Sequence, residues 1–299
     1  MNIFFRVDSS SKIGLGHLMR CLVLAKQYET DDVTFVSQGL TGNANYKITE
    51  SGYKLIGLVD NSVEALIDII NYNTVDLLII DQYDIDFQFE KNIKNATNVK
   101  ILSFDDTYNP HYCDVLLNHN IYANCSQYEG LVPSFCELRC GAEYLLIRDE
   151  FKQIKSNSSK NNRELFTIFL SMGGVDVDNI NLKLLKLLIN FESIRINLAI
   201  TNSNKNIETL LNFSESYSQI NVYVEHQNIA QLMNNSDYAI ITPSTIVYEA
   251  MFLNLPFIAI KTADNQIYLH RYLQNNNYYS FDNFDQKKIV SIINKNIGK

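Results

Sequence analysis

The fold is decided by residues 3–25, IFFRVDSSSKIGLGHLMRCLVLA, where an apolar run leads through a loop with two glycines into a helical pattern. Residues 3–7 are apolar except for Arg6, which is typical of a buried strand. After His17 the apolar positions recur at helical spacing, at Leu18, Cys21, Leu22, Leu24 and Ala25. This order of strand, loop and helix predicts an α/β domain whose loop binds a ligand.

The loop Gly14-Leu15-Gly16-His17 places a candidate catalytic group at the start of the helix. Gly14 and Gly16 allow a tight turn and a close approach of the backbone to a ligand. The helix N-terminus disfavours an imidazolium ion, so we expect His17 to be a neutral imidazole that accepts a proton. Asp8 ends the strand and is a candidate to orient His17. The alternatives are a histidine that caps the helix and an aspartate that forms a turn.

The same alternation continues to residue 104. We expect strands at residues 33–37, 54–58, 76–80 and 100–104, and helices at residues 17–28, 43–51, 63–72 and 87–95. Continuous apolar strands separated by helices predict a parallel sheet covered on both faces.

Residues 152–162, KQIKSNSSKNN, contain one apolar side chain and predict a linker. The alternation restarts after it, so we expect an N-terminal domain over residues 1–151 and a second domain over residues 163–279. Residues 280–299 predict a helical tail that packs on the domain or forms an oligomer contact. The expected architecture is two Rossmann-like α/β domains facing a central cleft, with ligand sites at the carboxyl ends of both sheets.

The composition excludes several classes of protein. A length of 299 residues suits two domains, and a net charge of −8 argues against a nucleic-acid partner. With no long apolar segment and no signal sequence we expect no membrane partner and a cytoplasmic location. The five cysteines are expected to be reduced thiols. Four of them lie near two histidines but lack a C-x-x-C pair, so we expect no metal site.

Further ligand loops are predicted at other strand ends. Tyr83 follows the most apolar strand and would offer a hydroxyl to substrate, or it is an amphipathic rim residue. In the second domain, Met172-Gly173-Gly174 precedes a helix and would expose N–H groups to a phosphate. Ser244 and Thr245 begin another helix and would bind a diphosphate.

Two more polar positions complete the candidate set. Glu249 lies one turn into the helix begun by Thr245 and would accept both ribose hydroxyls, unless it is only an N-terminal charge. Asn265 and Gln266 follow a strand and supply amides suited to acetamido groups, unless they form an ordinary polar loop.

With these residues in view, the chain resembles the UDP-2,4-diacetamido-2,4,6-trideoxy-β-L-altropyranose hydrolases of pseudaminic acid biosynthesis. The resemblance spans roughly residues 1–275, through the ordered segments FRVDS (5–9), IGLGHLMR (13–20), IIDQY (79–83), ILSFDD (101–106), DVLLN (114–118), RCG (139–141), LIRDEF (146–151), SMGG (171–174) and NQ (265–266). Thr242-Pro243-Ser244 departs from it, because relatives tend to carry glycines there.

The resemblance implies a GT-B type fold, close to that of the peptidoglycan N-acetylglucosaminyltransferase, in an enzyme that hands the sugar to water. It implies that His17 is the general base and that the second domain holds the nucleotide. It also implies that Tyr83 and Asn265 contact the substrate, and its LIRDEF segment adds Arg148 to the expected sugar contacts.

We therefore expect inverting hydrolysis of the UDP-linked diacetamido-trideoxy sugar without a metal or other cofactor and without an obligate protein partner. The alternatives are a GT-B glycosyltransferase that uses a UDP-sugar and an unidentified acceptor, and a nucleotide-sugar-binding protein without catalytic activity.

Overall fold

In a computed structural model that describes residues 1–157 and 165–297, the chain forms two compact units, Met1–Leu146 and Ile147–Lys299. The strands of the first unit are β1 (Asn2–Val7), β2 (Asp32–Gln38), β3 (Lys54–Leu58), β4 (Leu77–Asp81), β5 (Lys100–Phe104), β6 (Val115–Asn118) and β7 (Glu137–Cys140). Its helices are α1 (Gly16–Ala25), α2 (Tyr46–Glu50), α3 (Val63–Asn73) and α4 (Phe87–Ala96).

The first sheet is parallel, in the order β3-β2-β1-β4-β5-β6-β7. Chain order reverses between β1 and β4, where Val7 lies beside Asp81. Because crossover connections diverge at such a switch point, the loops after these two strands border one crevice. These are the loops that carry His17 and Tyr83.

Successive side chains along β1 pack into the two hydrophobic cores on opposite faces of the first sheet. Ile3, Phe5 and Val7 pack with α1, whereas Phe4 packs with α3 and α4 on the other face. This alternation explains why the strands are apolar throughout, since both faces of the sheet are covered. The predicted parallel α/β arrangement is confirmed.

The second unit repeats the arrangement. Its strands are β8 (Phe166–Ser171), β9 (Ile194–Ile200), β10 (Ile220–Val224), β11 (Tyr238–Ile241), β12 (Phe257–Ile260) and β13 (Tyr279–Phe281), and its helices are α5 (Asp149–Asn157), α6 (Ile180–Leu188), α7 (Ile207–Glu215), α8 (Ile229–Asn234), α9 (Thr245–Phe252), α10 (Ile267–Asn275) and α11 (Gln286–Asn296). The parallel order is β10-β9-β8-β11-β12-β13. Its switch point lies between β8 and β11, so the loops at residues 171–174 and 242–245 border one crevice.

The predicted domain bounds differ from the structure in three places. The first unit ends at Leu146 rather than at residue 151. Residues 152–157 belong to α5 rather than to a linker, and this otherwise polar helix buries Phe151 and contacts α8 of the second unit. Residues 158–164, the rest of the predicted linker, lie outside the described residues. The predicted tail is part of the second unit, since β13 pairs with β12 and α11 buries Ile289, Ile292 and Ile293 in the core.

Candidate active site

His17 is the second residue of α1, and a tight loop that contains Gly14 precedes this helix. Gly14 has a φ of +82°, and its N–H donates to the carbonyl of Ser10 at 2.8 Å. The Ser10 hydroxyl accepts from the backbone N–H groups of Lys12 and Ile13 and tightens the turn. His17 is only 8% exposed, so the loop holds its ring where solvent has little access.

Asp81, the last residue of β4, fixes the orientation of the His17 ring. Its Oδ1 lies 2.6 Å from His17 Nδ1, and Arg20 donates to both Asp81 oxygens at 2.6 Å. Although burial alone would raise it, the Arg20 guanidinium and His17 hold the pKa of Asp81 far below its usual value. An ionised carboxylate only accepts, so Nδ1 is the ring nitrogen that carries a proton, and in the neutral imidazole Nε2 is the acceptor.

Arg20 joins Asp81 to a second carboxylate, Asp106. It lies three residues after His17 on the same side of α1, and its guanidinium donates to the two Asp106 oxygens at 2.7 and 2.9 Å. Burial opposes ionisation of Asp106, but Arg20 lowers its pKa well below the ordinary value. The group is therefore a pair of buried carboxylates that share one guanidinium.

Tyr83 and Asn120 complete this cluster. The Tyr83 hydroxyl donates to Asp106 Oδ2 at 2.8 Å, and Asn120 Nδ2 donates to Oδ1 at 2.7 Å. The Tyr83 ring meets the His17 ring edge to face, with centroids 4.6 Å apart. Burial and the charge of Arg20 lower the pKa of neighbouring His119 to about 4, so this second imidazole is neutral at pH 7.

Asp8 has a different role from the one predicted, because Asp81 is the carboxylate that contacts His17. The Asp8 carboxylate accepts from the Arg6 guanidinium at 2.7 and 2.8 Å and from Gln82 Nε2 at 2.8 Å. Residues two apart share one face of a strand, which places the buried Arg6 beside Asp8. Asp8 thus balances a buried cation and ties the end of β1 to the residue after β4.

In the second unit the glycine loop at residues 171–174 does not open a helix as predicted. Helix α6 begins six residues after Gly174, and the Asp176 carboxylate accepts from the first N–H groups of that helix at 2.8 and 2.9 Å. Met172 is 2% exposed in the core, so only its backbone is available to a ligand. Gly173 has a φ of +76° and faces Thr242, which brings the loops after β8 and β11 together.

The N-terminus of α9 keeps the geometry expected of an anion site. Ser244 is extended and makes no side-chain cap hydrogen bond, and its hydroxyl lies 3.1 Å from that of Thr242. The Val247 N–H donates to the Ser244 carbonyl at 2.9 Å, so the donors that this helix start offers the crevice are the N–H groups of Thr245 and Ile246.

Glu249 and Arg148 were predicted separately but form one ion pair within the second unit. Arg148 Nε and Nη2 donate to the two Glu249 oxygens at 2.7 and 2.9 Å, and Arg148 also pairs with Glu150. Glu249 is 4% exposed. A ribose diol would have to use the remaining lone pairs of a carboxylate that Arg148 already orients.

Asn265 and Gln266 form a short 3₁₀ turn, Asp264–Gln266, after β12. Gln266 Oε1 accepts from the backbone N–H groups of Thr262 and Ala263, so this amide holds its own loop. Asn265 is exposed at the same turn.

No described helix is long and apolar enough to span a membrane. Within residues 1–157 and 165–297, no three His, Cys, Asp or Glu side chains are grouped as metal ligands. All five cysteines are free, with Cys113 and Cys136 sulfurs 3.7 Å apart.

No protein-family profile matches the chain. It is 46% identical over 267 residues to the UDP-2,4-diacetamido-2,4,6-trideoxy-β-L-altropyranose hydrolase of Campylobacter jejuni, an alignment that covers 89% of this chain and 93% of the relative. It is 20% identical over 273 residues to the spore coat polysaccharide biosynthesis protein SpsG of Bacillus subtilis, with 89% of this chain and 79% of the relative covered.

Two solved structures show the fold. MurG of Acinetobacter baumannii has a TM-score of 0.64 at 10% identity, with 98% of this chain and 90% of that chain covered. HepE of Anabaena, solved with UDP-glucose, has a TM-score of 0.64 at 12% identity, with 100% and 90% covered. The chain therefore has the two-domain GT-B fold that the sequence predicted.

Proposed function

The chain belongs to the UDP-2,4-diacetamido-2,4,6-trideoxy-β-L-altropyranose hydrolase family, and we propose that it cleaves that nucleotide sugar with water. The products are UDP and 2,4-diacetamido-2,4,6-trideoxy-L-altrose, which would serve pseudaminic acid biosynthesis. The observation that supports a catalytic rather than a binding function is the 2.6 Å contact between His17 Nδ1 and the buried Asp81. That pairing orients the imidazole for the role of a base, as in other carboxylate–histidine pairs.

In the proposed mechanism, His17 Nε2 accepts a proton from a water molecule while the water oxygen attacks the anomeric carbon. The bond from that carbon to the diphosphate oxygen breaks, and its electron pair leaves with UDP. Attack from the face opposite the leaving group inverts the anomeric configuration. Asp81 stabilises the imidazolium that forms and is itself kept ionised by Arg20.

The second unit is proposed to hold the nucleotide. A UDP leaving group needs no general acid, because its terminal phosphate is a weak base. The donors for its charge are the first-turn N–H groups of α9 at Thr245 and the backbone around Gly173. Glu249, oriented by Arg148, is the proposed ribose contact, and Asn265 is the proposed acetamido contact.

The test is to incubate the purified protein with the UDP-sugar, without an acceptor, and to follow UDP and free sugar by chromatography and NMR. The proposal predicts both products in equal amounts, with inverted configuration in the sugar first released. A glycosyltransferase would release UDP quickly only when its acceptor is added. A binding protein would bind the UDP-sugar and release no UDP.

A further inference from the structure

Two cysteine side chains of the first unit lie in contact outside the candidate active site. The sulfurs of Cys113 and Cys136 are 3.7 Å apart, at the amino-terminal ends of β6 and β7. In a disulfide the two sulfurs are about 2.0 Å apart, so each has to move by less than about 1 Å to form the bond. The fold therefore holds these two thiols close to bonding distance.

The two sulfurs differ in their access to solvent. Cys113 is fully buried in the core on one face of the first sheet, whereas Cys136 is half-buried. The Cys136 N–H donates to the Pro133 carbonyl at 3.0 Å and closes a turn in which Ser134 and Phe135 are exposed. A small molecule in solution therefore reaches the sulfur of Cys136 before that of Cys113.

The two thiols also differ in how readily they lose a proton. The hydrogen bond between them and burial raise the pKa of Cys113, and the same hydrogen bond lowers the pKa of Cys136. The Leu116 backbone and the charge of His111 add to the lowering at Cys136, against burial and the charge of Asp114. The accessible sulfur is thus the better nucleophile, because a thiolate attacks and a thiol does not.

We propose that Cys113 and Cys136 are a site of reversible oxidation, at which a low-molecular-weight disulfide converts the two thiols into a disulfide bond. The Cys136 thiolate attacks one sulfur of the oxidant, forms a mixed disulfide and displaces a thiolate, which takes up a proton. The Cys113 sulfur then attacks the Cys136 sulfur and displaces the second thiolate, which takes the Cys113 proton. The protein loses two electrons, and the oxidant is reduced to two thiols.

The disulfide closes a loop over residues 113–136, which contains β6 and leads into β7 at the edge of the sheet. A cross-link of this span restricts the unfolded chain more than the folded chain. We expect the oxidised chain to have a thermal midpoint about 5 to 10 °C above that of the reduced chain.

The experiment incubates the purified chain with glutathione disulfide, blocks the remaining thiols with N-ethylmaleimide and maps the peptides by mass spectrometry. We expect linked peptides that contain Cys113 and Cys136, with three of the five cysteines blocked and full reversal by dithiothreitol. The Cys113→Ser variant should stop at one glutathione per chain, attached to Cys136. The Cys136→Ser variant should leave Cys113 unmodified.

The matched control is Cys140→Ser, which removes one thiol of a second contacting pair, Cys125 and Cys140. Burial and the contact with Cys125 raise the pKa of Cys140, so this variant should form the Cys113–Cys136 bond at the rate of the unmodified chain.

The proposal is overturned if no linked peptides of Cys113 and Cys136 form, or if glutathione attaches preferentially to another cysteine. A thermal midpoint that does not rise on oxidation would contradict the predicted cross-link across the sheet edge. Should a serine variant not fold, the peptide map of the unmodified chain decides alone. Because no readout uses the UDP-sugar, the result is independent of the proposed hydrolase function.

Discussion

Replacing Asp81 by Asn tests the orientation of the proposed base while keeping the shape of the side chain. In the structure the Asp81 oxygens accept from His17 Nδ1 and from Arg20 Nε and Nη2, all at 2.6 Å. Asparagine offers one oxygen and one NH₂ group to these donors. If the NH₂ group faces His17, it favours the tautomer with the proton on Nε2, which cannot act as a base. If it faces Arg20, two donors oppose each other.

Either arrangement also removes the negative charge that stabilises the imidazolium. We expect kcat for UDP release to fall by about two to four orders of magnitude, equivalent to about 3 to 5 kcal/mol in activation free energy. The affinity for UDP, measured by calorimetry, should stay within about twofold, because the proposed nucleotide contacts are in the second unit. Asp106 still neutralises Arg20, so the variant should fold.

The control is Asp114→Asn, the same chemical change in another ion pair of the first unit, where Asp114 binds Lys94 at 2.9 Å. It should keep kcat within about twofold. An Asp81→Asn enzyme with near-normal kcat and a normal thermal midpoint would refute the assignment of Asp81 as the partner of the base.

Two further predictions concern stability. Arg148→Met leaves the buried Glu249 carboxylate unpaired, and we expect the free energy of unfolding by urea to fall by about 3 kcal/mol. Adding Glu249→Gln to the same chain should restore part of that loss. An unchanged urea midpoint for Arg148→Met would contradict this prediction. Burial disfavours a charged His111, but its contacts with Asp105 and Glu90 raise its pKa to about 9. The folded chain therefore binds that proton more tightly than the unfolded chain. The resulting contribution to the free energy of unfolding is complete below about pH 6.5 and should fall by about 3 kcal/mol as the pH rises to about 9. In His111→Gln this pH dependence should disappear from urea titrations, and a slope equal to that of the unmodified chain would count against the assignment.

Local patterns were sufficient to predict most of the fold. The apolar runs of β1, β4 and β8 and the helical spacing after His17 reflect burial on two faces, which leaves a clear period in the sequence. Helix α5 could not be predicted from its composition. Its polar residues resemble a linker, and only the structure shows the burial of Phe151 and the contact with α8.

The sequence also identified the loops of the site better than the contacts within it. His17 and Tyr83 were found because each follows a strand, but Asp81 lies 64 residues from His17 and meets it only because β1 and β4 are neighbours. Asp8 was the nearer candidate in the chain. The Asp8 carboxylate instead pairs with Arg6. No local pattern shows which of the two carboxylates at the adjacent strand ends, Asp8 or Asp81, pairs with the buried Arg6.

Arg20 and Asp106 were missed as members of the site. Arg20 could have been found from its helical spacing, because it stands three residues after His17 on a helix that otherwise buries apolar groups. Asp106 follows β5 in a pair of aspartates, and only the tertiary structure shows that it, rather than Asp105, binds Arg20.

The central claim is that His17 is the base for attack by water, and the most direct measurement is the hydrolytic kcat of His17→Asn beside its affinity for UDP. Asparagine keeps a polar side chain but cannot take the proton. The account predicts a kcat lower by about two to four orders of magnitude with UDP affinity nearly unchanged. A His17→Asn enzyme that hydrolyses the UDP-sugar at close to the normal rate would contradict it.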